Sequence, residues 1–308
     1  MNSLICFLNI CFGKSFQVHS KAEKKRSGSL LNEWHLSESL KNRHPMHYAA
    51  RNGNVDVMKA LISRGYVVNC MTPSELVTPL HEASSKGCVE AVQFLIEEGA
   101  WINARNIDGA TPLCVACAAG QTEVAKILIE SNASVNPAIL IDPLNSPLHE
   151  AVMKGHVECV KLLISKGAKL NAADRHYGTP LHAACVAYKI NIDCILSLIQ
   201  AGADVNATIV HKAPLHIAAY RNLLSVVQLL LNYGADVYAR DKLGKRPKDL
   251  ARSNSVVKRL LKSYEIHPRT LSDCCRLTIL KSFVVGKNSI IIKQLGLPKK
   301  IVQYIFSC

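Results

Sequence analysis

"TPLHEASSKGC", residues 78–88, opens on a helix-starting signal and closes on a helix-ending one. The Thr78 hydroxyl can accept from a free N–H of the first turn. Pro79 follows at the first helical position, where its missing N–H costs nothing. Gly87 stops the helix, because glycine accepts the left-handed conformation at the position after it. The same pattern returns in "HPMHYAARNGN" (44–54), "TPLCVACAAGQ" (111–121), "SPLHEAVMKGH" (146–156), "TPLHAACVAYK" (179–189) and "APLHIAAYRNL" (213–223). Pro45, Pro79, Pro112, Pro147, Pro180 and Pro214 follow one another at steps of 33 to 35 residues, and Pro247 in "KRPKDLA" extends the series. Gly53, Gly120 and Gly155 repeat the stop signal.

A second helix follows each first one. "VECVKLLISKG", 157–167, sets Val157, Val160, Leu163 and Ile164 on one apolar stripe. "AKLNAADRHYG", 168–178, is then a polar excursion of turn formers that leads to the next Thr-Pro. One such helix pair cannot bury its own stripe, so neighbours must stack.

These segments resemble the ankyrin repeat from His44 to about Ala251. The resemblance implies an all-α solenoid of six full repeats and a capping repeat, with antiparallel helix pairs, loops projecting as fingers, and an elongated, curved form. Three departures stand out. Cys114 replaces the recurrent histidine, Arg221-Asn222 replaces a glycine, and the seventh unit is short.

The formal charge of +14 suggests nucleic-acid binding until it is divided along the chain. Residues 1–43 carry seven Lys/Arg against three Asp/Glu, 44–239 carry fourteen against sixteen, and 240–308 carry sixteen against four. The repeat body is nearly neutral and offers no continuous basic face to phosphates, which argues against nucleic acid. The twelve cysteines lack regular paired spacing, which points to reduced thiols inside the cell, in the cytoplasm. "KAEKKR", 21–26, is a candidate nuclear address or a solvated linker. The apolar opening "MNSLICFLNICFGKSF" has neither the basic start nor the cleavage site of a signal peptide, and it is shorter than the roughly 20 residues that span a bilayer. Residues 1–43 read as a partly disordered leader, with Cys6 and Cys11 as candidate lipidation sites in a membrane-adaptor alternative.

Catalytic and metal motifs are missing. "GKS", 13–15, has Leu8 where a phosphate loop needs its first glycine. Cys114 and Cys117 make a C-x-x-C, yet Cys117 occupies the small-residue slot of Ala50, Cys185 and Ala219, which assigns it to helix packing. Cys159 and Cys194 share a second-helix slot in the same way. His47, His81, His149, His182 and His216 recur once per repeat, about 10 Å apart at the spacing of packed helices, too far for one zinc shell. They are assigned hydrogen bonds in the turns. Neither cofactor nor metal is expected, and binding rather than catalysis is the default. Candidate contact residues lie on the fingers: Arg105, Asp108, Arg175, Tyr177, His211 and Lys212, with the Trp101 edge.

The tail changes pattern. In "TLSDCCRLTIL", 270–280, Thr270 can cap a helix on which Leu271, Cys275 and Ile279 fall at i, i+4 and i+8. Cys274 lies about 100° around the axis from Cys275, so the adjacent thiols do not form a paired site. "TLSDCCRLTILKSF" and "QLGLPKKIVQYIF" resemble the two halves of a SOCS box. Leu271, Cys275, Arg276 and Ile279 match the first half, and Leu295, Leu297, Pro298, Ile301 and Tyr304 lie in the second. "LGLP" carries Gly296 where the family's cullin element has a first proline, so the first half keeps the pattern more fully.

Together the regions resemble the ankyrin repeat and SOCS box family of cullin-RING ubiquitin-ligase receptors. The resemblance implies a leader (1–43), ankyrin repeats (44–262) and a small three-helix SOCS box (263–308). It implies docking of elongin C with elongin B on the first half of the box, and of cullin 5 with its RING-box protein on the second. An unidentified protein substrate would lie on the repeats, to be ubiquitinated and degraded by the proteasome. The chain itself would catalyse nothing. The alternative is an ankyrin scaffold whose C-terminal helices only cap the solenoid.

Overall fold

The computed structural model describes residues 44–137, 146–174, 176–209 and 211–266. These residues form fourteen helices in seven consecutive pairs. The pairs are α1 (Pro45–Arg51) with α2 (Val55–Ile62), α3 (Pro79–Lys86) with α4 (Val89–Glu97), and α5 (Pro112–Ala119) with α6 (Thr122–Glu130). They continue as α7 (Pro147–Lys154) with α8 (Val157–Ser165), α9 (Pro180–Val186) with α10 (Ile192–Ala201), α11 (Pro214–Tyr220) with α12 (Leu224–Asn232), and α13 (Pro247–Leu250) with α14 (Val256–Ile266). Every first helix begins at the proline of the repeat, as the capping pattern predicts. Extended pairing among the described residues is limited to single bridges, Asp174 with Gly178 and Ile209 with Lys212.

Two compact units divide these residues inside the third pair. One comprises residues 44–116 with Glu123–Ala133; the other comprises Cys117–Thr122 with the residues from Ser134 onward. In the first unit α1 packs on α3 and α2 on α4. In the second, first helices stack α7 on α9 on α11 on α13, and second helices stack α8 on α10 on α12 on α14. In six of the seven pairs the residue after the proline is a buried apolar side chain. Leu80, Leu113, Leu148, Leu181 and Leu215 are each no more than 1% exposed, and Met46 takes the same place in α1. Full burial of each such side chain is worth roughly 2 kcal/mol.

The stripe of α8 differs in detail from the pattern in its sequence. Cys159, Val160 and Leu163 are buried, while Val157 and Ile164 are only half-buried. The helix turns its small cysteine toward its neighbours, and Cys194 of α10 is buried at the same register.

Four first helices, α1, α3, α7 and α9, are each tied to the hairpin after them by a histidine. In α3 the Nδ1 of His81 accepts from the Thr78 N–H at 3.2 Å, which leaves Nε2–H to donate to the Ala110 carbonyl at 3.0 Å. His47 reaches Val77 at 2.7 Å, His149 reaches Gly178 at 2.8 Å, and His182 reaches Lys212 at 2.9 Å in the same way. The hydrogen-bonding role read from the sequence is the observed one for these four, whereas Nε2 of His216 makes no such bond among the described residues. Cys114 instead accepts the Thr111 hydroxyl within its own turn at 3.4 Å.

Repeats five and six depart together. Helix α9 ends without a left-handed residue, since Ala187 turns directly into extended backbone at φ −46 and ψ 141. The carbonyls of Cys185 and Ala187 thereby lose helical partners, and Nη1 of Arg221 donates to both at 2.8 Å. Asn222 then supplies the left-handed turn of its own repeat at φ 59, a conformation asparagine tolerates better than most residues. The Arg-Asn departure is thus a compensation: one residue caps the neighbour and the other replaces the glycine.

Helix α14 is held by its last turn. Glu265 accepts from Arg246 at 3.3 Å and from Lys248, and its backbone carbonyl accepts the Tyr238 hydroxyl at 2.9 Å. The helix runs on to Ile266, through the boundary placed at 262. No helix among the described residues is long and apolar enough to cross a membrane.

Two predictions follow from this packing. Gly178 has φ +82, and a Cβ there would lie 2.8 Å from Cγ1 of Ile209 on the next hairpin. Gly178→Ala should cost roughly 1–3 kcal/mol in urea unfolding. Gly167→Ala, where an equally left-handed φ of +80 meets no atom within 4 Å, should cost less. The second concerns the imidazoles. Burial holds His47, His81, His149, His182 and His216 below their ordinary value of 6.5, His47 at about 4. The unfolded chain binds protons that the folded one refuses, so their contribution is fully present above pH 6.5 and drains as pH falls toward 4. The urea midpoint should therefore drop between pH 7 and pH 5, and His47→Gln should shrink that drop. A midpoint independent of pH would contradict neutral buried imidazoles.

Candidate functional site

The fingers owe their shape to short polar side chains. In the first unit Asn106 closes its hairpin by accepting the Ala110 N–H on Oδ1 at 2.8 Å, while its own N–H donates to the Ala110 carbonyl at 3.1 Å. In the second unit Oδ1 of Asp174 accepts the N–H groups of Tyr177 and Gly178. Its other oxygen stands 3.8 Å from Nε2 of His149, with both side chains almost fully buried. Ile209 and Lys212 exchange two backbone bonds at 2.9 Å, and His211 takes φ 63 in that tight turn. Local bonds thus fix the backbone of each finger before any partner arrives.

The finger residues chosen from the sequence fall into two groups. Arg105 and Asp108 flank the Asn106 hairpin of the first unit, with Asp108 exposed and Arg105 half-buried. The Ile107 N–H between them donates to the Glu75 carbonyl of the preceding loop at 2.8 Å, and the Ile107 side chain is 59% exposed. In the second unit Tyr177 is half-buried, and His211 and Lys212 are exposed. The contact of Gly178 with Ile209 brings these two fingers side by side. Trp101 stands apart, in the turn after α4, where its N–H donates to Oδ1 of Asn69 at 2.7 Å and its side chain stays 48% exposed. Arg175, Leu271, Cys275, Arg276, Ile279, Leu295, Leu297, Pro298, Ile301 and Tyr304 lie outside the described residues, as does the leader.

Two features escaped the sequence reading. Asn69, Asn103, Asn136, Asn171 and Asn206 form a second ladder that bridges successive turns. Asn136, for example, donates to the Gly167 carbonyl at 2.9 Å and accepts the Lys169 N–H at 2.8 Å. Asn206 does the same with Gly234 and Asp236, at 3.0 and 2.9 Å. The signal was present, because these asparagines recur at steps of 33 to 35 residues. The second feature is a pair of outward tyrosines at repeats five and six, Tyr188 at 94% exposure and Tyr220 at 69%. Nothing periodic marks them.

The thiols serve packing. Cys114, Cys117, Cys159, Cys185 and Cys194 are buried and unbridged. A hydrogen bond with Cys117 and another with the Thr122 hydroxyl pull the Cys159 thiol down to about 7 against the opposing effect of burial. Burial pushes Cys194 up to about 11 and Cys185 up to about 12. No group of three or more His, Cys, Asp or Glu among the described residues could hold a metal ion. An open groove between α2 and α4 is lined by Asp56, Glu90, Glu97 and Phe94, with the Lys59 ammonium 5.7 Å from the Phe94 ring centre. It brings no reactive pair together. What the arrangement offers is a set of rigid, chemically varied surfaces for a macromolecular partner.

Comparison with known proteins agrees with this reading. The family described as "Ankyrin repeats (3 copies)" matches residues 22–106, 46–139, 102–174, 137–209 and 173–241. Mouse ankyrin repeat and SOCS box protein 5 is 37% identical over 165 residues, 52% of this chain and 48% of that protein. Human ankyrin repeat and SOCS box protein 13 is 43% identical over 96 residues, 31% of this chain and 34% of the relative. The chain thus spans half or less of the length of these relatives. The crystal structure of the human ASB11 ankyrin repeat domain superposes with a TM-score of 0.67 at 36% identity, covering 74% of this chain and all of that domain. With the family match running through residues 22–241, the chain belongs to the ankyrin-repeat family and is a relative of the ankyrin repeat and SOCS box proteins.

Proposed function

We propose that the chain is the substrate-recognition adaptor of a cullin-RING ubiquitin ligase. The observation that carries the reading is one of order along the chain. A repeat array related to ankyrin repeat and SOCS box proteins is followed by Leu271, Cys275, Arg276 and Ile279 at docking-helix spacing. In this reading that helix seats its apolar stripe on elongin C, which carries elongin B. The Leu295, Leu297, Pro298, Ile301 and Tyr304 element recruits cullin 5 with its RING-box protein. The fingers and first helices hold the target, whose lysines are then presented to a ubiquitin-charged enzyme on the cullin.

Such an adaptor needs no catalytic group. It works by converting an encounter in solution into one within a single assembly, where the effective concentration of the reacting groups reaches the millimolar range for short, flexible tethers. Stiff fingers and a clamped last helix suit that task, because a rigid adaptor loses less entropy when it binds. Arg246 and Lys248 on Glu265 hold the segment from which the docking element departs.

Co-expression of the chain with elongin B and elongin C, followed by size-exclusion chromatography, tests this directly. The three chains should co-elute. Leu271→Asp combined with Cys275→Phe should abolish the complex and leave thermal unfolding of the repeats unchanged, since both positions follow the described repeat array. A complex that survives this double substitution, or no complex with the unsubstituted chain, would return the protein to the status of an ankyrin scaffold.

A further inference from the structure

Four observations converge on the C-terminal ends of α7, α9 and α11. The Arg221 guanidinium donates to the Ala187 carbonyl at 2.8 Å, which ties the backbone next to Tyr188 to the residue after Tyr220 across repeats five and six. Asn191 donates to the Gly155 carbonyl at 3.0 Å, and the Lys189 carbonyl lies 3.8 Å from where a Cβ on Gly155 would stand. The backbone of Lys189 is therefore packed on the glycine that follows Lys154, the last residue of α7. Lys154, Lys189, Tyr188 and Tyr220 thus lie on connected backbone over three stacked repeats of one compact unit.

None of the four is used by the fold. Tyr188 is 94% exposed, Tyr220 is 69% exposed, Val186 at the end of α9 is 38% exposed, and both lysines are exposed. Neither lysine forms an ion pair among the described residues. Tyrosine and arginine are favoured as interface anchors, and each tyrosine buries about 150–250 Å² when covered. Arg221 is already immobilised by two carbonyls, so its positive charge is fixed on the ledge at no further entropic cost.

We propose that this ledge is a docking site for an acidic protein segment carrying aromatic or large apolar residues, bound in extended form. The charge complementarity argues for the acidic class: two free ammonium groups and one anchored guanidinium line a surface whose apolar groups are tyrosine faces. Three repeats at about 10 Å spacing span roughly 20 Å, the length of about six extended residues. The proposal deepens the adaptor reading, on which it rests for the identity of the ledge as the substrate side of the molecule.

The test uses the full chain with elongin B and elongin C, and a fluorescein-labelled peptide of about nine residues repeating Glu-Glu-Tyr, a length that overhangs the ledge slightly. Anisotropy should report binding that weakens several-fold between low salt and about 0.3 M, as screening requires. The counterpart peptide repeating Lys-Lys-Tyr should not bind. Lys154→Glu with Lys189→Glu should weaken the acidic peptide at least tenfold, and Tyr188→Ala with Tyr220→Ala should do the same. Lys258→Glu with Lys262→Glu on α14 should change it less than twofold. All three double variants should keep the melting temperature, since their side chains lie outside the core. Equal loss from the α14 control, loss from the charge variant without loss from the tyrosine variant, or binding of oligothymidylate with the same pattern as the peptide would each overturn the ledge in favour of a generic polyanion surface. Co-elution with the elongins should be indifferent to the ledge variants. An intact elongin complex that ignores the peptide defeats the ledge alone, and a missing elongin complex beside specific peptide binding defeats the adaptor reading alone.

Discussion

Four of the repeats depend on a buried imidazole, His47, His81, His149 or His182, that donates across to the hairpin of the next repeat. The bond requires a neutral ring in one tautomer, set by the Thr, Ser or backbone group that occupies Nδ1. His81 and His182 meet that requirement in separate units with the same geometry, 3.0 and 2.9 Å to the next carbonyl. A buried donor without its acceptor costs about 1–3 kcal/mol, so the imidazole constrains the position of the following hairpin as well as the helix that bears it. Proline at the first helical position and leucine after it complete the junction. The apolar contact supplies the energy, and the histidine supplies the register.

A scaffold held this way leaves its outer positions free to vary. Finger residues such as Asp108, His211 and Lys212 sit on backbones already fixed by Asn106 or by the Ile209–Lys212 pair, so their identity can change at little cost to folding. The same freedom explains Tyr188 and Tyr220. Exposed aromatic side chains contribute nothing to the core, and contiguous apolar exposure on a folded protein marks an interaction surface. Arg221 joins the two levels, since it repairs the irregular end of α9 and fixes its charge on the backbone next to Tyr188 in one step.

The C-terminal end of the described chain is built differently. Helix α14 has the strongest segregation of apolar and charged faces, with Val257 and Leu261 buried and basic residues outward, and Glu265 gathers Arg246 and Lys248 at its last turn. An adaptor that captures at one part and docks at another works best when the joint between them is stiff. A carboxylate shared by Arg246 and Lys248 is a means to that stiffness.

Most of the architecture was legible in the residues themselves. Pro45, Pro79 and their successors at a steady period announced the helix starts, the glycines announced the stops, and the recurrent histidines and small residues announced which side chains face inward. These are local rules: a cap, a missing N–H and a left-handed turn act over four or five residues and need no knowledge of the fold. The asparagine ladder was equally periodic and went unread, because a lone Asn in a turn has a sufficient local explanation until its partner one repeat away is seen. Tertiary structure alone decided the rest. Which face of α8 turns inward, Cys159 rather than Val157, depends on the neighbouring helices. The meaning of Arg221 depends on a helix end 34 residues earlier. The bonds that tie the Tyr188 connection to Arg221 and the Asn191 connection to Gly155 exist only once repeats are stacked. The sequence by itself determined the repeat and its inward surface, since those follow from short-range backbone chemistry. The structure decided which outward side chains become neighbours, because that follows from contacts between residues far apart in the chain.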